Sequence, residues 1–168
     1  KIKNCMKIYI ASDHTGFELK EELKKYLPEL GLDYEVVDKG NFILDNEDDY
    51  PDFIREVALA VANDPEHSRG VILGGTGQGE AMCANRTKGA RAIVFYGEEF
   101  PEGDIDIRGR KSVDSFEIVK LSRMHNDANI ISIGARFVTI DEAKFAIELF
   151  LSTKFSGEER HIRRINKF

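Results

Sequence analysis

Short apolar runs alternate with longer amphipathic stretches along most of this chain. Runs rich in Val, Ile and Tyr predict buried strands, and apolar positions that recur every three or four residues predict helices. We expect five strands, at Lys7–Ala11, Tyr34–Val37, Val71–Leu73, Ala92–Tyr96 and Asn129–Ile133. Strands that alternate with helices are typical of a parallel sheet with helices on both faces. The pattern therefore predicts an α/β fold of that kind.

Several helix ends carry their own signals. Pro28 marks the end of the helix after the first strand, and Pro51 is well placed to start the helix after the second. Thr139-x-x-Glu142 is a capping box, which predicts a helix start after the fifth strand. The segment 97–111 is acidic, contains Gly and Pro and has no period, so we interpret it as a long surface loop. Loops of that length are uncommon without a role.

Length and composition restrict the class of protein. With 168 residues, 42% hydrophobic and 32% charged, the chain is expected to form one domain spanning 1–168. The net charge of −6 argues against a nucleic-acid partner. The segment ERHIRRINK at 159–167 is basic on this acidic background, which suits a small anion rather than a polyanion. Lys1–Cys5 precede Met6, and we interpret them as an added leader or an upstream extension.

The small number of cysteines and the short lengths of the apolar stretches exclude other classes of protein. Cys5 and Cys83 are the two cysteines, so the sequence has no disulfide framework and no C-x-x-C metal or redox motif. No apolar stretch approaches the length of a membrane span, and the N-terminus lacks the apolar region of a signal peptide. We therefore expect a cytoplasmic enzyme without a membrane partner.

The most informative segment is 71–91, VILGGTGQGEAMCANRTKGAR. A buried strand runs into a loop whose glycines are Gly74, Gly75, Gly77 and Gly79, and a helix is expected to begin near Gly79. The free N–H groups of such a helix point back at the loop, which predicts an anion or oxyanion site. Glu80 makes the spacing G-x-G-x-G rather than the G-x-G-x-x-G of dinucleotide-binding folds, and the Gly-Lys-Ser/Thr of a P-loop is absent.

Three strand exits, 12–16, 74–80 and 134–136, are candidates to meet, because ligands bind at the carboxyl ends of parallel strands. Asp13 and His14 form either an acid–base or anion-binding pair or a helix cap with an incidental His. Thr76 is either a donor to a developing oxyanion or a turn residue. Glu80 is either a general base or a carboxylate favoured by the helix dipole; burial raises its pKa, whereas the dipole lowers it.

Two further groups lie later in the chain. His125 and Asn126 end a predicted helix, where a His is often only a cap and Asn126 suits the left-handed position. Arg160, Arg163 and Arg164 form either a phosphate clamp or a solvated basic tail. Cys83 fits a small core residue better than a nucleophile. Taken singly, each of these residues is better explained by a structural role. Their combination, several polar residues at strand ends together with a basic tail, favours a ligand-binding or catalytic site.

Taken together, these residues resemble a known family, the type B ribose-5-phosphate isomerases and the related galactose-6-phosphate isomerase subunits. The matching stretches run in order along nearly the whole chain, which makes them jointly far more specific than any single motif. They are I-A-S-D-H-T-G-F-x-L-K at 10–20, V-x-D-K-G at 36–40, D-Y-P at 49–51, G-G-T-G-x-G-E at 74–80, A-N-R-x-x-G-A-R-A at 84–92, S-R-M-H-N-D-A-N at 122–129, G-A-R at 134–136 and R-H-I-R-R at 160–164.

The resemblance implies a three-layer, Rossmann-like fold with a five-stranded parallel sheet, and a homodimer or dimer of dimers with active sites at subunit interfaces. It implies aldose–ketose isomerisation of a sugar phosphate without metal or cofactor. By position, it assigns ring opening to Asp13 and His125, with Asn126 beside them. Enediolate stabilisation falls to Thr76 and the amides of Gly75, Gly77 and Gly79. The phosphate ligands it implies are His14, Arg136, Arg160 and Arg164.

The chain departs from the family pattern at two places. Many members have a catalytic Cys just before G-T-G, where this chain has Gly74. Another branch lacks that Cys and has a Glu at the position of Glu80, so the resemblance implies a carboxylate base in place of a thiolate. The second departure is the 97–111 loop, which is longer than usual. We expect it to border the active site or the subunit interface and to affect substrate identity.

We therefore expect an isomerase, with ribose 5-phosphate as the first candidate substrate and other four- to six-carbon sugar phosphates as alternatives. A non-catalytic sugar-phosphate sensor or partner subunit is the main alternative of another class. It would need only the phosphate ligands, whereas this chain also has Asp13, Thr76, Glu80 and His125. A nicotinamide-dependent enzyme is a weaker third possibility, because the glycine spacing disfavours it.

Overall fold

The computed structural model describes residues 5–31 and 33–168; Lys1–Asn4, part of the predicted leader, and Leu32 lie outside the described residues. The five predicted strands are all present. They are β1 (Met6–Ser12), β2 (Tyr34–Asp38), β3 (Ser68–Gly74), β4 (Ala92–Phe95) and β5 (Ile130–Gly134). All pair in parallel, in the order β2-β1-β3-β5-β4. The helices are α1 (Phe17–Tyr26), α2 (Tyr50–Asn63), α3 (Gln78–Ala84), α4 (Glu117–Asn126), α5 (Ile140–Ser152) and α6 (Glu159–Ile165).

Helices cover both faces of the sheet, so most positions at the centres of the strands are apolar. Ile10, Leu73 and Ile133 point to the face packed against α1, α4 and α5. Ala11 and Ile72 point to the opposite face, which α2 and α3 cover. This alternation along neighbouring strands builds two apolar layers, one on each side of the sheet. The predicted three-layer fold is confirmed.

The strand register brings three strand ends to the same level. Ser12 pairs with Leu73 across β1 and β3, and Gly74 pairs with Gly134 across β3 and β5. The carboxyl ends of these three central strands therefore open onto one edge of the sheet. This edge is where ligands bind in open α/β sheets.

The predicted helix ends need small corrections. α1 ends at Tyr26, and Pro28 lies in a short 3₁₀ turn at Leu27–Leu30. The capping box is present, since the Glu142 amide donates to the Thr139 hydroxyl and the Thr139 amide donates to Glu142. The prediction that Asn126 is the left-handed cap is wrong. α4 continues through Asn126, and Asp127 takes that conformation with φ 45°, which Asp tolerates better than most residues.

The described residues from 97 to 115 form no helix or strand, as the sequence predicted for 97–111. Among the described residues, no helix is long and apolar enough to cross a bilayer.

A buried lysine connects α1 to the end of β2. Lys20 has 0% exposure. Its ammonium donates to both oxygens of Asp38, at 3.1 and 3.0 Å, and to the main-chain oxygen of Asn41. Lys24 also donates to Asp38, at 2.6 Å. A charge without access to water is stable only when it is fully paired, so this contact fixes where the chain leaves β2.

We expect Lys20→Met to lower the free energy of unfolding by about 3 kcal/mol, because it leaves the Asn41 oxygen and part of the Asp38 carboxylate without a donor. Urea denaturation measures this loss. Lys25→Met on the same helix is the matched control. Lys25 is 71% exposed and pairs with Glu22 on the surface, so its loss should cost less than about 1 kcal/mol. Equal losses in the two variants would contradict the structural role of Lys20.

Candidate active site

Backbone hydrogen bonds hold the three strand exits together. The Asp13 amide donates to the Leu73 oxygen at 3.0 Å. The amides of Ala135 and Arg136 donate to the oxygens of Gly74 and Gly75, at 2.8 and 3.1 Å. The loops after β1, β3 and β5 therefore form one continuous surface, as expected for 12–16, 74–80 and 134–136.

The loop after β3 depends on glycine at two positions. Gly77 has φ 72°, a left-handed conformation that side chains disfavour, and its oxygen accepts from the Ser132 hydroxyl at 2.6 Å. A Cβ added at Gly134 would lie 2.8 Å from the Thr76 oxygen. The Thr76 hydroxyl accepts from the Gln78 amide at 3.3 Å, which agrees with its reading as a turn residue.

Most backbone N–H groups of this loop are unpaired. Among the described residues, no acceptor meets the amides of Gly75, Thr76, Gly77 or Gly79. α3 begins at Gln78, one residue earlier than predicted, so Gly79 lies in its first turn. Tyr50, at the start of α2, lies over it: a Cβ at Gly79 would be 2.7 Å from the Tyr50 hydroxyl. Successive unpaired amides form a concave donor surface suited to an oxyanion.

The Glu80 side chain fills the space that Gly74 leaves empty. A Cβ at position 74 would lie 2.0 Å from one carboxylate oxygen of Glu80 and 2.4 Å from the other. Glu80 is only 4% exposed. Burial raises the pKa of the Glu80 carboxyl, and the nearby charges of Asp13 and Asp48 raise it further, against a hydrogen bond from its own amide. Burial thus outweighs the lowering effect of the hydrogen bond from its own amide.

Asp13 lies beside Glu80 and is 7% exposed. One of its oxygens accepts from the Thr15 hydroxyl at 2.6 Å and from the Gly16 amide at 2.8 Å. Asp13 thus closes the turn before α1, but the expectation that it is the N-cap is wrong, because the N-cap of α1 is Gly16. Among the described residues, the other oxygen has no hydrogen-bond partner, so Asp13 retains an unpaired acceptor.

His14 and Arg136 are two basic side chains close to each other at the same end of the strands. The Arg136 guanidinium approaches the glycine loop, since a Cβ at Gly75 would lie 3.3 Å from it. His14 Nδ1 lies 2.8 Å from an Asp48 oxygen. That hydrogen bond raises the pKa of His14, while burial and the charge of Arg136 oppose the rise. Neighbouring cationic side chains of this kind suit a phosphate.

A second cluster surrounds His125, at the end of α4. The rings of His125 and His161 are 4.4 Å apart, and His161 is buried with Nδ1 2.9 Å from the Ser156 hydroxyl. Burial lowers the pKa of His125, and the charges of His161 and Arg160 lower it further. The segment read as a basic tail is the helix α6, which packs against α4 and places Arg160 and Arg164 one turn apart.

The two clusters lie at opposite ends of the parallel strands. Asp13 and Glu80 follow the carboxyl ends of strands, whereas His125 and Asn126 precede the amino end of β5. Five residues of β5 at about 3.3 Å each separate the two levels by roughly 16 Å. One chain therefore does not bring all the predicted site residues together. His14, Thr76, Glu80 and Arg136 form one half, and Asn126, His125, Arg160 and Arg164 form the other.

The 97–111 loop folds along α4 toward the second cluster. Arg110 donates to Glu117 at 3.1 Å and to Asp106 at 3.2 Å, which anchors the loop at the start of α4. Ile105 lines an apolar groove of about 320 Å³ together with Ile118 and Leu121 of α4. The charge of Asp106 acts on His125. The loop therefore borders the half-site that contains His125.

Sequence reasoning missed two residues of the first half-site. Asp48 contacts His14 from an irregular loop, where no periodic pattern marks it. Tyr50 was noted only within the D-Y-P motif, as a helix start. Among the described residues, no group of three or more His, Cys, Asp or Glu side chains is arranged to hold a metal ion.

Known proteins match this chain along nearly its whole length. The family model described as Ribose/Galactose Isomerase matches residues 8–102 and 110–168. Ribose-5-phosphate isomerase B of Mycolicibacterium paratuberculosis is 37% identical over 161 residues, covering 96% of this chain and 88% of that protein. The protein of the same name from Escherichia coli is 35% identical, covering 95% of this chain and 91% of its own length.

Solved structures show the same fold. The crystal structure of ribose-5-phosphate isomerase B from Mycoplasma genitalium, with bound ribulose-5-phosphate, superposes with a TM-score of 0.81 at 34% identity, covering 96% of this chain and 93% of that one. Residues 103–109 lie outside the family model and within the loop that folds along α4. The similarity otherwise extends through both half-sites. This chain therefore belongs to the Ribose/Galactose Isomerase family.

Proposed function

We propose that this protein is an aldose–ketose isomerase that interconverts ribose 5-phosphate and ribulose 5-phosphate. The observation that carries the proposal is a buried carboxylate of raised pKa, Glu80, beside a loop with unpaired amides. A base and an oxyanion site are the two elements that an enediolate mechanism requires. The names of the relatives and the ribulose-5-phosphate bound to the Mycoplasma genitalium enzyme support the same substrate pair.

Glu80 acts as the base. Its carboxylate takes the proton from C2 of the open-chain aldose, and the electron pair of that C–H bond forms the C1–C2 double bond of the enediolate. The charge then resides on the former carbonyl oxygen, where the amides of Gly75, Gly77 and Gly79, with Thr76, stabilise it. A proton then moves from the C2 hydroxyl to the former carbonyl oxygen, and return of the first proton to C1 forms the C2 carbonyl of the ketose. A positioned base contributes about 10²–10⁴ in rate, and each oxyanion donor contributes about 3–4 kcal/mol.

The remaining residues prepare the substrate. Asp13 retains an unpaired acceptor oxygen beside Glu80, and with His125 it moves protons during ring opening, next to Asn126. His14, Arg136, Arg160 and Arg164 hold the phosphate, so that binding at a remote group fixes the reacting carbons. The residues need no metal or cofactor for these steps. The reaction takes place in the cytoplasm.

The active site is shared between two copies of the chain in a homodimer. His125 and Glu80 lie at opposite edges of the sheet in one chain, too far apart for one pentose phosphate to contact both. In a dimer with two-fold symmetry, each copy can place its His125 half-site against the Glu80 half-site of the other. Charge complementarity favours this contact: the first half has three carboxylates, Asp13, Asp48 and Glu80, beside His14 and Arg136, and the second half has the arginines of α6.

We expect Glu80→Gln to lower kcat by about 10²–10⁴ with little change in KM, because the base acts only in the transition state. Cys83→Ser, one helical turn away, is the control and should keep nearly full activity. In the parent enzyme, kcat should fall as the pH drops through the pKa of Glu80, which lies above the ordinary 4.5. Retained activity in Glu80→Gln together with its loss in Cys83→Ser would show that the base is assigned wrongly.

The shared site predicts that two inactive variants restore each other. Co-production of Glu80→Gln and His125→Ala chains should give about one quarter of the parent activity, because half of the dimers are mixed and each mixed dimer has one intact site. Glu80→Gln with Asp13→Asn is the matched control. Both changes lie in the same half-site, so no intact site forms. Absence of activity in the first mixture, with mixed dimers present, would show that the sites are not shared.

We expect replacement of residues 103–109 by a Gly-Ser turn to leave the fold intact, since shortening a loop changes the closure entropy only modestly. Because this segment lies beside the His125 half-site, kcat/KM across a panel of four- to six-carbon aldose phosphates should change, or the dimer should weaken. Ile107→Ser within the loop is the control for surface changes alone, since Ile107 is exposed. An unchanged profile and an unchanged dimer mass by light scattering would show that the loop is passive.

A further inference from the structure

Asp48 is a nearly buried carboxylate to which the proposed mechanism assigns no step. Its side chain is 4% exposed, whereas most of its neighbours in the loop 41–49 are exposed. One oxygen lies 2.8 Å from His14 Nδ1, and the other accepts from the Asn41 side-chain amide at 2.6 Å. Both oxygens are therefore engaged, and one of them contacts a proposed phosphate ligand.

Asn41 is itself held firmly. It is 3% exposed, its main-chain amide donates to the Ser12 oxygen at 3.1 Å, and its main-chain oxygen accepts from the buried ammonium of Lys20. Lys20 in turn is fixed by Asp38. A continuous set of hydrogen bonds therefore runs from α1 through Asn41 and Asp48 to His14. The Asp48 carboxylate cannot rotate away without leaving the Asn41 amide unpaired.

The contact determines what His14 presents to a ligand. Because a carboxylate only accepts hydrogen bonds, His14 Nδ1 must carry a proton, which leaves Nε2 as the nitrogen that reaches the site. The charged groups that act on His14 are Asp13 and Asp48, which favour its protonated form, and Arg136, which disfavours it. The His14 side chain is 31% exposed, so its ring is accessible. Protonated His14 offers Nε2–H to an anion beside Arg136.

We propose that Asp48 is a positioning residue, which holds the His14 ring with Nδ1–H turned inward so that Nε2–H faces the substrate phosphate. The ligand's identity rests on the proposed function, whereas the orientation of His14 rests on the contacts of Asp48 alone. Asp48 contacts His14 in the structure and acts on the phosphate through it.

The orientation can be tested without the reaction. The chain contains four histidines, so ¹⁵N-edited NMR can follow each ring, with His14→Gln identifying the His14 signals. In the parent, neutral His14 should be a single Nδ1–H tautomer. Asp48→Asn should remove that preference and lower the pKa of His14, since the carboxylate stabilises the charged ring. The matched control is Asp64→Asn, which removes the Asp64–His67 contact of 3.0 Å outside the site.

The second measurement concerns the ligand. In Asp48→Asn, titration with inorganic phosphate followed at the His14 signals should show affinity reduced about tenfold, and KM for ribose 5-phosphate should rise similarly, with kcat within about twofold at a pH where Glu80 is ionised. Asp48→Glu keeps the carboxylate and should restore part of the affinity and the tautomer preference. If Asp48→Asn does not fold, Asp48→Glu carries the test, and its His14 should keep the Nδ1–H tautomer.

The outcomes separate this proposal from the proposed function. If the parent does not isomerise ribose 5-phosphate but Asp48→Asn weakens phosphate binding and changes the His14 tautomer, the reaction is assigned wrongly and the positioning role stands. If Asp48→Asn changes the His14 signals no more than Asp64→Asn does, the positioning role is wrong. A fall in kcat with KM unchanged would also overturn it, because Asp48 would then act on the chemistry rather than on the phosphate.

Discussion

The first half-site depends on the common level at which β1, β3 and β5 end. Ser12 pairs with Leu73, and Gly74 pairs with Gly134, so three loops begin side by side. The loops after β1 and β5 donate amides to carbonyl groups at the end of β3 and in the loop that follows it. The approach is close enough that a Cβ at Gly16 would lie 2.6 Å from the Cβ of Leu73. Without this register, the carboxylates of Asp13 and Glu80 and the amides of the glycine loop would not face one volume.

The Glu80 carboxylate occupies the space that a side chain at position 74 would need, and this packing determines the chemistry of the loop. Because Gly74 has no side chain, the Glu80 carboxylate can lie against the backbone, away from water. Among the described residues, only carboxylates exert a charge effect on it, and no cation does. Such an arrangement costs stability, and a fold retains it where a raised pKa is useful. A side chain at position 74 and a carboxylate from position 80 exclude each other in this geometry.

A strand, helix or contact could be predicted only where a recurring pattern of residues accompanies it in the sequence. The strands were predictable because helices cover both faces, and β5 is buried throughout. α6 was missed because its buried residue is His161, which packs on His125 rather than belonging to an apolar stripe. Asp48 was missed because its contact with His14 spans 34 residues and starts in an irregular loop. Motif spacing could identify Glu80 and Asp13 as candidate site residues. Only the topology shows that His125 lies at the opposite end of the strands from them.

Burial is the largest cause of two opposite pKa shifts: because it favours the neutral form, it raises the pKa of the Glu80 carboxyl and lowers the pKa of His125. Near Glu80 the neighbouring charges are carboxylates, and they raise its pKa. Near His125, the basic groups of His161 and Arg160 lower its pKa further. Each half therefore favours the neutral form of its own group while the halves are apart. In the proposed dimer, each group gains opposite charge from the other copy, which opposes the effect of burial and favours its ionised form. The proposed assembly therefore shifts the base toward the form that takes the proton, besides completing the site.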